Sequence, residues 1–421
     1  MARGRWNKYY SKIEAFKRIC RIIAVSLTMV VLLFSCGKEE DDPNVRPADE
    51  KDWHDTGLPH LYIYTPEGTA INSKTVWVEG ATVNLFTPDG EFIDYGKANI
   101  KGRGNSTWGL PKKPYALKLE NAATLCGMAS DKRWNLLANY IDRTDIRNAI
   151  AFKVAQKARS FDWTPHGEFV ELYLNSVWQG NYFLCEHIKI GDHRLNLKKG
   201  GYLLELDVNY DEDYKFKSDL LSLPVQIKDW KGGDMTEERF NEIKAEFNEI
   251  ESKIVTDDIT TSGWQDYIDM DTFIDWWFVY ELVQCGEPGH PKSSYMYRDK
   301  GGKLKAGPVW DFDWGTFRGS EVKLFRIKNS IFYGYLFKDP SFVKRLKEKW
   351  LENRGEFRAV ADYFDVLADK LRVSVDHDKT KWSMTTTVNN DESMSFDEAV
   401  STMKSNYKKH WEWMDNQIQA M

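Results

Sequence analysis

Asp311 and Asp313 stand two residues apart in Trp310-Asp311-Phe312-Asp313-Trp314. On extended backbone that spacing turns both side chains to one face, and two like charges held close are costly without a cation between them. A divalent ion such as Mg2+ or Mn2+, held by one or two carboxylates and by phosphate oxygens, is the commonest resolution, so both aspartates are candidate metal ligands for phosphoryl transfer. Other readings stay open: helix N-caps, an ion pair with Lys303 or Lys305, or the two carboxylates of a glycosidase. The last is the poorest, because a glycosidase sets its carboxyls about 5 Å or more apart on opposite sides of a sugar. Upstream, Lys101-Gly102-Arg103-Gly104-Asn105-Ser106-Thr107-Trp108-Gly109 joins two cations to glycines whose backbone N–H groups can approach an anion. A structural turn is the alternative there.

Periodicity indicates which elements carry these residues. Residues 61–65, 76–86 and 114–120 alternate apolar and polar side chains and read as half-buried strands. Residues 131–159 read as two helices, the second opened by Asp142 or Thr144. Residues 168–190 return to strands with a turn at Asn175-Ser176, and 202–207 form a short strand. A helix from Asp234, with Glu237 at a capping-box position, carries Phe240, Ile243, Phe247, Ile250 and Ile254, and a second, at 271–284, is apolar nearly all round and therefore buried. A hairpin of 293–299 and 303–310, turning at Lys300-Gly301-Gly302, delivers the chain to Asp311. Asp339-Pro340 caps one later helix, and Ser395 with Glu398 forms a capping box for the last. The expected fold class is α+β, with a β-rich N-terminal lobe at about 53–230 and a mostly helical C-terminal lobe at about 231–421.

The chain has 421 residues, 42% of them hydrophobic, enough for a sizeable core. Its net charge of −6, with no basic tract beyond the first 21 residues, excludes nucleic acid as a partner. Five cysteines, none in CxxC or CxxH spacing, exclude a disulfide framework and a zinc-finger site. The 17 tryptophans suit a glycan-binding platform or an aromatic core, and composition does not choose between them.

Seven basic residues and one acid precede an apolar run from Ile22 to Phe34, too short to span a bilayer, which ends at Leu33-Phe34-Ser35-Cys36-Gly37. Residues 1–35 read as a signal peptide, and the ending resembles a bacterial lipobox with Cys36 as the lipidated residue, although Phe34 is bulkier than usual. Its removal takes the charge from −6 to −12, since seven bases leave with one acid. Residues 36–52, with Lys38-Glu39-Glu40-Asp41-Asp42 and two prolines, read as a flexible tether, similar to the export signal of some surface lipoproteins. The expected place is the outer membrane, facing the cell surface or periplasm and anchored through Cys36.

Five blocks are specific in combination: Arg103–Glu120, Leu136–Ala155, Phe169–Ile188, Gly200–Asp207 and Ser294–Phe317. On them the chain resembles the CotH kinase family of atypical, spore-coat-protein-H-like kinases over nearly all of residues 60–420. The resemblance implies a divergent two-lobed protein-kinase-like fold and transfer of phosphate from ATP to serine-rich proteins. It implies Asp311 as metal ligand with Asp313 in support, and Lys118 as the lysine on the nucleotide phosphates, with Lys112 and Lys113 competing for that role beside Arg103. Glu186 and Glu205 would orient that lysine or bind a second metal. Active members place an Asp and, about five residues later, an Asn before a Tyr-x-Tyr strand. Here Glu287, shifted by one, stands for the catalytic base and Ser293 for the second metal ligand, a weaker donor than an amide. His290 is an acid/base or metal-ligand candidate, or a solvated loop residue. ATP is scarce outside the cytoplasm, so the cofactors implied are ATP or another phosphoryl donor with Mg2+ or Mn2+, and the acceptor is a protein or a glycan. The alternative is a catalytically impaired module that binds a cell-surface glycan or protein.

Overall fold

Seven strands, β1 (His60–Tyr64), β2 (Val78–Phe86), β3 (Phe92–Gly102), β4 (Tyr115–Ala123), β5 (Asp131–Leu137), β6 (Gly167–Leu174) and β7 (Val177–Glu186), close into a barrel in the order β1-β2-β3-β4-β5-β7-β6. The computed structural model describes residues 56–384 and 388–421, so the expected signal peptide, tether and Cys36 lie outside the described residues. Antiparallel pairing runs round the barrel until β1 meets β6 in parallel, His60 opposite Glu171. Alternate residues point inward, and Leu61, Ile63, Val83, Leu85, Ile100, Leu117, Trp134, Leu136 and Leu184 fill the interior.

Two strands depart from expectation. β3 escapes the pattern because small residues dilute it: Gly96 breaks the run, and only Ala98 and Ile100 mark the buried face. β5 occupies the first of the two expected helices. Trp134 and Leu136, spaced by two, enter the barrel, while the apolar residues that follow to Ile141 blur that period into a helical one. The helix left there, α1 (Arg147–Lys157), begins later than expected and has no side-chain cap at Ile146. Asp142 serves it from outside by accepting the Arg147 backbone N–H at 2.9 Å.

A second sheet has the order β12-β11-β8-β10-β9, built from β8 (Tyr202–Leu206), β9 (Lys215–Lys217), β10 (Pro224–Trp230), β11 (Ser294–Arg298) and β12 (Leu304–Ala306). The expected hairpin β11–β12 therefore pairs with a strand 90-odd residues earlier, Tyr295 opposite Glu205, and this sheet crosses the boundary drawn at residue 230. The helices α2 (Glu237–Ile254), α3 (Met270–Leu282), α4 (Tyr333–Leu336), α5 (Pro340–Lys381) and α6 (Phe396–Ala420) complete an α+β fold. Thr236, not Asp234, caps α2, since its side chain accepts the Arg239 N–H. Asp339 caps α5, and Ser395 with Glu398 forms the capping box of α6. Trp134, Trp264, Trp276, Trp277 and Trp350 are fully buried, so much of the aromatic share belongs to the core. Cys126, Cys185 and Cys285 are free thiols. Among the described residues no helix is long and apolar enough to cross a membrane.

Candidate functional site

A cleft of about 800 Å³ is lined by the turn after β3, by β5, by the ends of β8 and β10, and by residues 286–293 and 310–318. Its floor is acidic. The two aspartates do not lie on a strand: β12 ends at Ala306, and Asp311 takes a left-handed φ of +70°. Such backbone costs about 1–2 kcal/mol and persists only where the surroundings hold it. Here Asn148 of α1 accepts the Phe312 N–H at 2.9 Å, and Ser293 Oγ donates to Asp311 Oδ2 at 3.1 Å. Ser293, itself left-handed, donates its N–H to Asp207 Oδ2 at 3.1 Å. Asn389, between α5 and α6, donates to Asp313 O at 2.9 Å and Ile141 O at 3.2 Å and accepts the Gly315 N–H at 2.8 Å.

Crowding these carboxyls in a buried place changes their acidity. Burial, then the charges of Asp311 and Asp207 working against Lys292, pushes Glu287 up to about 7. Burial also raises Asp311, against the attraction of Arg103. Asp313 is raised well above the usual carboxylate range by burial, then by Asp311, Asp142 and Glu287. Neutral forms or a cation relieve such a set.

The facing wall is basic. Lys101 stands next to the end of β3 and Arg133 lies on β5; burial and their mutual proximity hold the Lys101 ammonium below its ordinary value. The Arg103 guanidinium lies 5.5 Å from the centroid of the Trp310 ring. Its turn needs glycine at 102, where a Cβ would lie 2.3 Å from the Trp108 ring. Lys228 of β10 pairs with Glu205 of β8 at 3.0 Å. Burial, Arg133 and Arg103 hold the His187 imidazole well below its ordinary value, which keeps it neutral.

Arg103, Glu287, Ser293, Asp311 and Asp313 thus converge on one cleft, with His290 on its rim. Lys118 and Lys113 are outside it. Lys118 shares a face of β4 with cleft-lining Ala116 but stands two residues farther along, exposed. Lys113 Nζ donates to Trp108 O at 2.8 Å. Lys112 borders the cleft, yet its ammonium is spent on Asn181 O at 2.6 Å and Asp378 at 2.7 Å. Glu186 binds Arg194 at 2.9 Å in the interior, a structural pairing. Glu205 does hold a lysine, Lys228 rather than Lys118. Sequence reasoning missed Asp207, which ends the Gly200–Asp207 block, and Arg133, which lay in a segment read as helix. Asn148 lay inside the Leu136–Ala155 block without a role of its own, and Asn389 carried no signal.

Among the described residues no three His, Cys, Asp or Glu side chains form a ready-made metal cage. The oxygen-only donors of Asp311, Asp313, Asp207 and Ser293 nevertheless fit Mg2+, which commonly takes one or two protein carboxylates and completes its shell with phosphate and water. A family model described as CotH kinase protein matches residues 100–420. No curated protein matches the chain.

Proposed function

Because the chain belongs to the CotH kinase family, we propose that it binds a phosphoryl donor, ATP or another, with Mg2+ or Mn2+ and transfers phosphate to a hydroxyl of Ser, Thr or another acceptor. Family membership supports a kinase-like function. The observation that supports this site is one cleft lined both by cations and by carboxylates that burial, and then their mutual repulsion, raise above the ordinary range. A polyphosphate and its metal need that pairing of charges.

In this reading Lys101, Arg103 and Arg133 bind the donor phosphates; of the residues expected there, Arg103 keeps the task, and Lys118, Lys112 and Lys113 do not. Asp311 and Asp313 hold the cation, with Ser293 as a weaker further ligand that Asp207 holds in place by accepting its N–H. When bound, the cation supplies charge neutralisation at the phosphate oxygens. Glu287 takes the acceptor hydroxyl proton while the new O–P bond forms and the bond from the terminal phosphorus to the donor's bridging oxygen breaks, leaving the donor one phosphate shorter. The reading takes the barrel as the smaller lobe of a kinase and the second sheet with its helices as the larger.

The test is incorporation of label from γ-labelled ATP into a serine-rich acceptor with Mg2+ or Mn2+, and its loss on chelation. No incorporation, together with no nucleotide binding by calorimetry, overturns the reading. Nucleotide binding without transfer would mark the impaired module, in which Ser293 replaces a better ligand. We further propose anchoring to the outer membrane through Cys36. Cys36→Ser is expected to lose all metabolic fatty-acid label, since a hydroxyl cannot form the thioether, and persistent label would refute the anchor.

A further inference from the structure

Arg318 and Arg326 line the same cleft, and the reading above gives them no task. Each lies against a glycine beside the reacting carboxyls. A Cβ on Gly286, the residue before Glu287, would sit 2.4 Å from Arg326 Nη2, and one on Gly315, two beyond Asp313, would sit 2.8 Å from Arg318 Nη2. Glycine at both positions makes room for a guanidinium against the backbone that carries Glu287 and Asp313. The arginines are also anchored. Buried Glu281 of α3 accepts the N–H groups of Arg326 at 2.7 Å and Ile327 at 2.8 Å, and Gln284 Nε2 donates to Arg318 O at 3.0 Å.

Arg103 acts on Asp311 and Asp313, and Lys292 on Glu287 and Asp311. Arg318 and Arg326 share one ion-paired carboxylate, Glu321, at 3.7 Å and 2.7 Å, while Glu281, which also feels Arg326, is pushed up to about 8 by burial and is largely neutral at pH 7. Two guanidiniums against one carboxylate leave a surplus positive charge, and the Nε of each arginine has no hydrogen-bond partner among the described residues. Glu321 also shows what the pair accepts: the carboxylate of a peptide glutamate. Guanidinium forks suit carboxylates because they offer two parallel N–H donors.

We propose that Arg318 and Arg326 form an acceptor subsite beside Glu287 that binds carboxylates flanking the hydroxyl, so that the acceptor is an acidic peptide segment with Asp or Glu next to its Ser or Thr. The proposal rests on the phosphoryl-transfer reading for its biological role, but its binding component is measurable without transfer. The surplus charge is local, in a chain whose net charge is −6, so general attraction of acidic molecules does not account for it.

The experiment uses the full chain and two peptides, Glu-Glu-Ser-Glu-Glu and Gln-Gln-Ser-Gln-Gln, in a transfer assay and, without nucleotide, in a fluorescence binding titration. The wild type should favour the acidic peptide by roughly tenfold in KM and in Kd, the scale of one or two charge-assisted contacts. Arg318→Gln with Arg326→Gln should bring both ratios to about 1, while Arg326→Lys, which keeps the charge but not the two-donor fork, should retain part of the preference. If no phosphate is transferred but arginine-dependent binding of the acidic peptide remains, the subsite stands and the phosphotransfer reading falls. The proposal is overturned by equal affinity of the wild type for both peptides. It is equally overturned if the substitutions weaken ATP binding and leave peptide discrimination intact, which would assign the arginines to the donor, or if an acidic glycan such as polygalacturonate binds while the peptides are not discriminated.

Discussion

Asp311→Asn is expected to abolish Mg2+-dependent nucleotide binding and to lower phosphoryl transfer by roughly 10³-fold or more, the loss typical when charge stabilisation is removed at a reacting phosphate. The substitution preserves shape, and an asparagine oxygen can still accept the Ser293 hydroxyl that Asp311 Oδ2 accepts at 3.1 Å. What disappears is the charge. Because burial raises this carboxyl above its ordinary value, its ionised form costs the fold something at neutral pH. The variant should therefore melt at the same temperature as the wild type or higher in EDTA. Calorimetry with ATP and Mg2+, paired with thermal melts in chelator, checks both halves. Equal nucleotide affinity in variant and wild type would reduce Asp311 to a structural residue.

Glu287 should govern the pH dependence. Its carboxyl is pushed up to about 7, so the base form is scarce at pH 5 and dominant above pH 8. With a saturating acceptor and no other titrating step, the rate should rise about tenfold per unit below that midpoint and level off above it. Glu287→Gln should cost about 10²–10⁴-fold and flatten the profile, and Glu287→Asp should recover part of the rate. The same shift has a consequence for stability. A carboxyl whose folded value is raised contributes stability that is fully present below its unfolded value of 4.5 and is lost as pH rises through about 7. The metal-free wild type should thus lose stability against Glu287→Gln between pH 5 and pH 8, on the order of 1–3 kcal/mol. Parallel melting curves for the two proteins across that range would show that Glu287 is not perturbed.

The residues of the acid floor were legible because each stands in a short segment whose composition is unusual for its place: Trp-Asp-Phe-Asp-Trp, and a Glu-Pro-Gly turn before an aromatic strand. Their geometry was not. The spacing of Asp311 and Asp313 suggested one face of a strand, whereas a left-handed residue and two distant asparagines bring them into the cleft. On the basic wall, period-two alternation fixed the face of Lys118 but not its distance along β4, and that distance decides whether an ammonium reaches the cleft. Arg133 was hidden because β5 runs into an apolar stretch whose period mimics a helix. Caps and turns were read well where the signal is local, as at Asn175-Ser176, Asp339 and Ser395. Barrel closure depends on pairing residues more than a hundred positions apart, such as His60 with Glu171, and no local pattern encodes it.

The hold of Asn389 on the acid loop also sets an order of events during synthesis. Its carbonyl partner Ile141 lies 248 residues earlier, and Phe312 takes its support from Asn148, 164 residues earlier. Contacts of such separation form late, because the entropy of closing long loops must be met before they are gained. A growing polypeptide that ends within α5 already contains the whole aspartate segment, yet has no Asn389 to fix it. Translation must pass Asn389, in the connection between α5 and α6, before the cleft can take its shape. Ligand occupancy would therefore report on a chain complete through Asn389, and a chain interrupted before it would retain the acidic residues without the pocket that gives them a use.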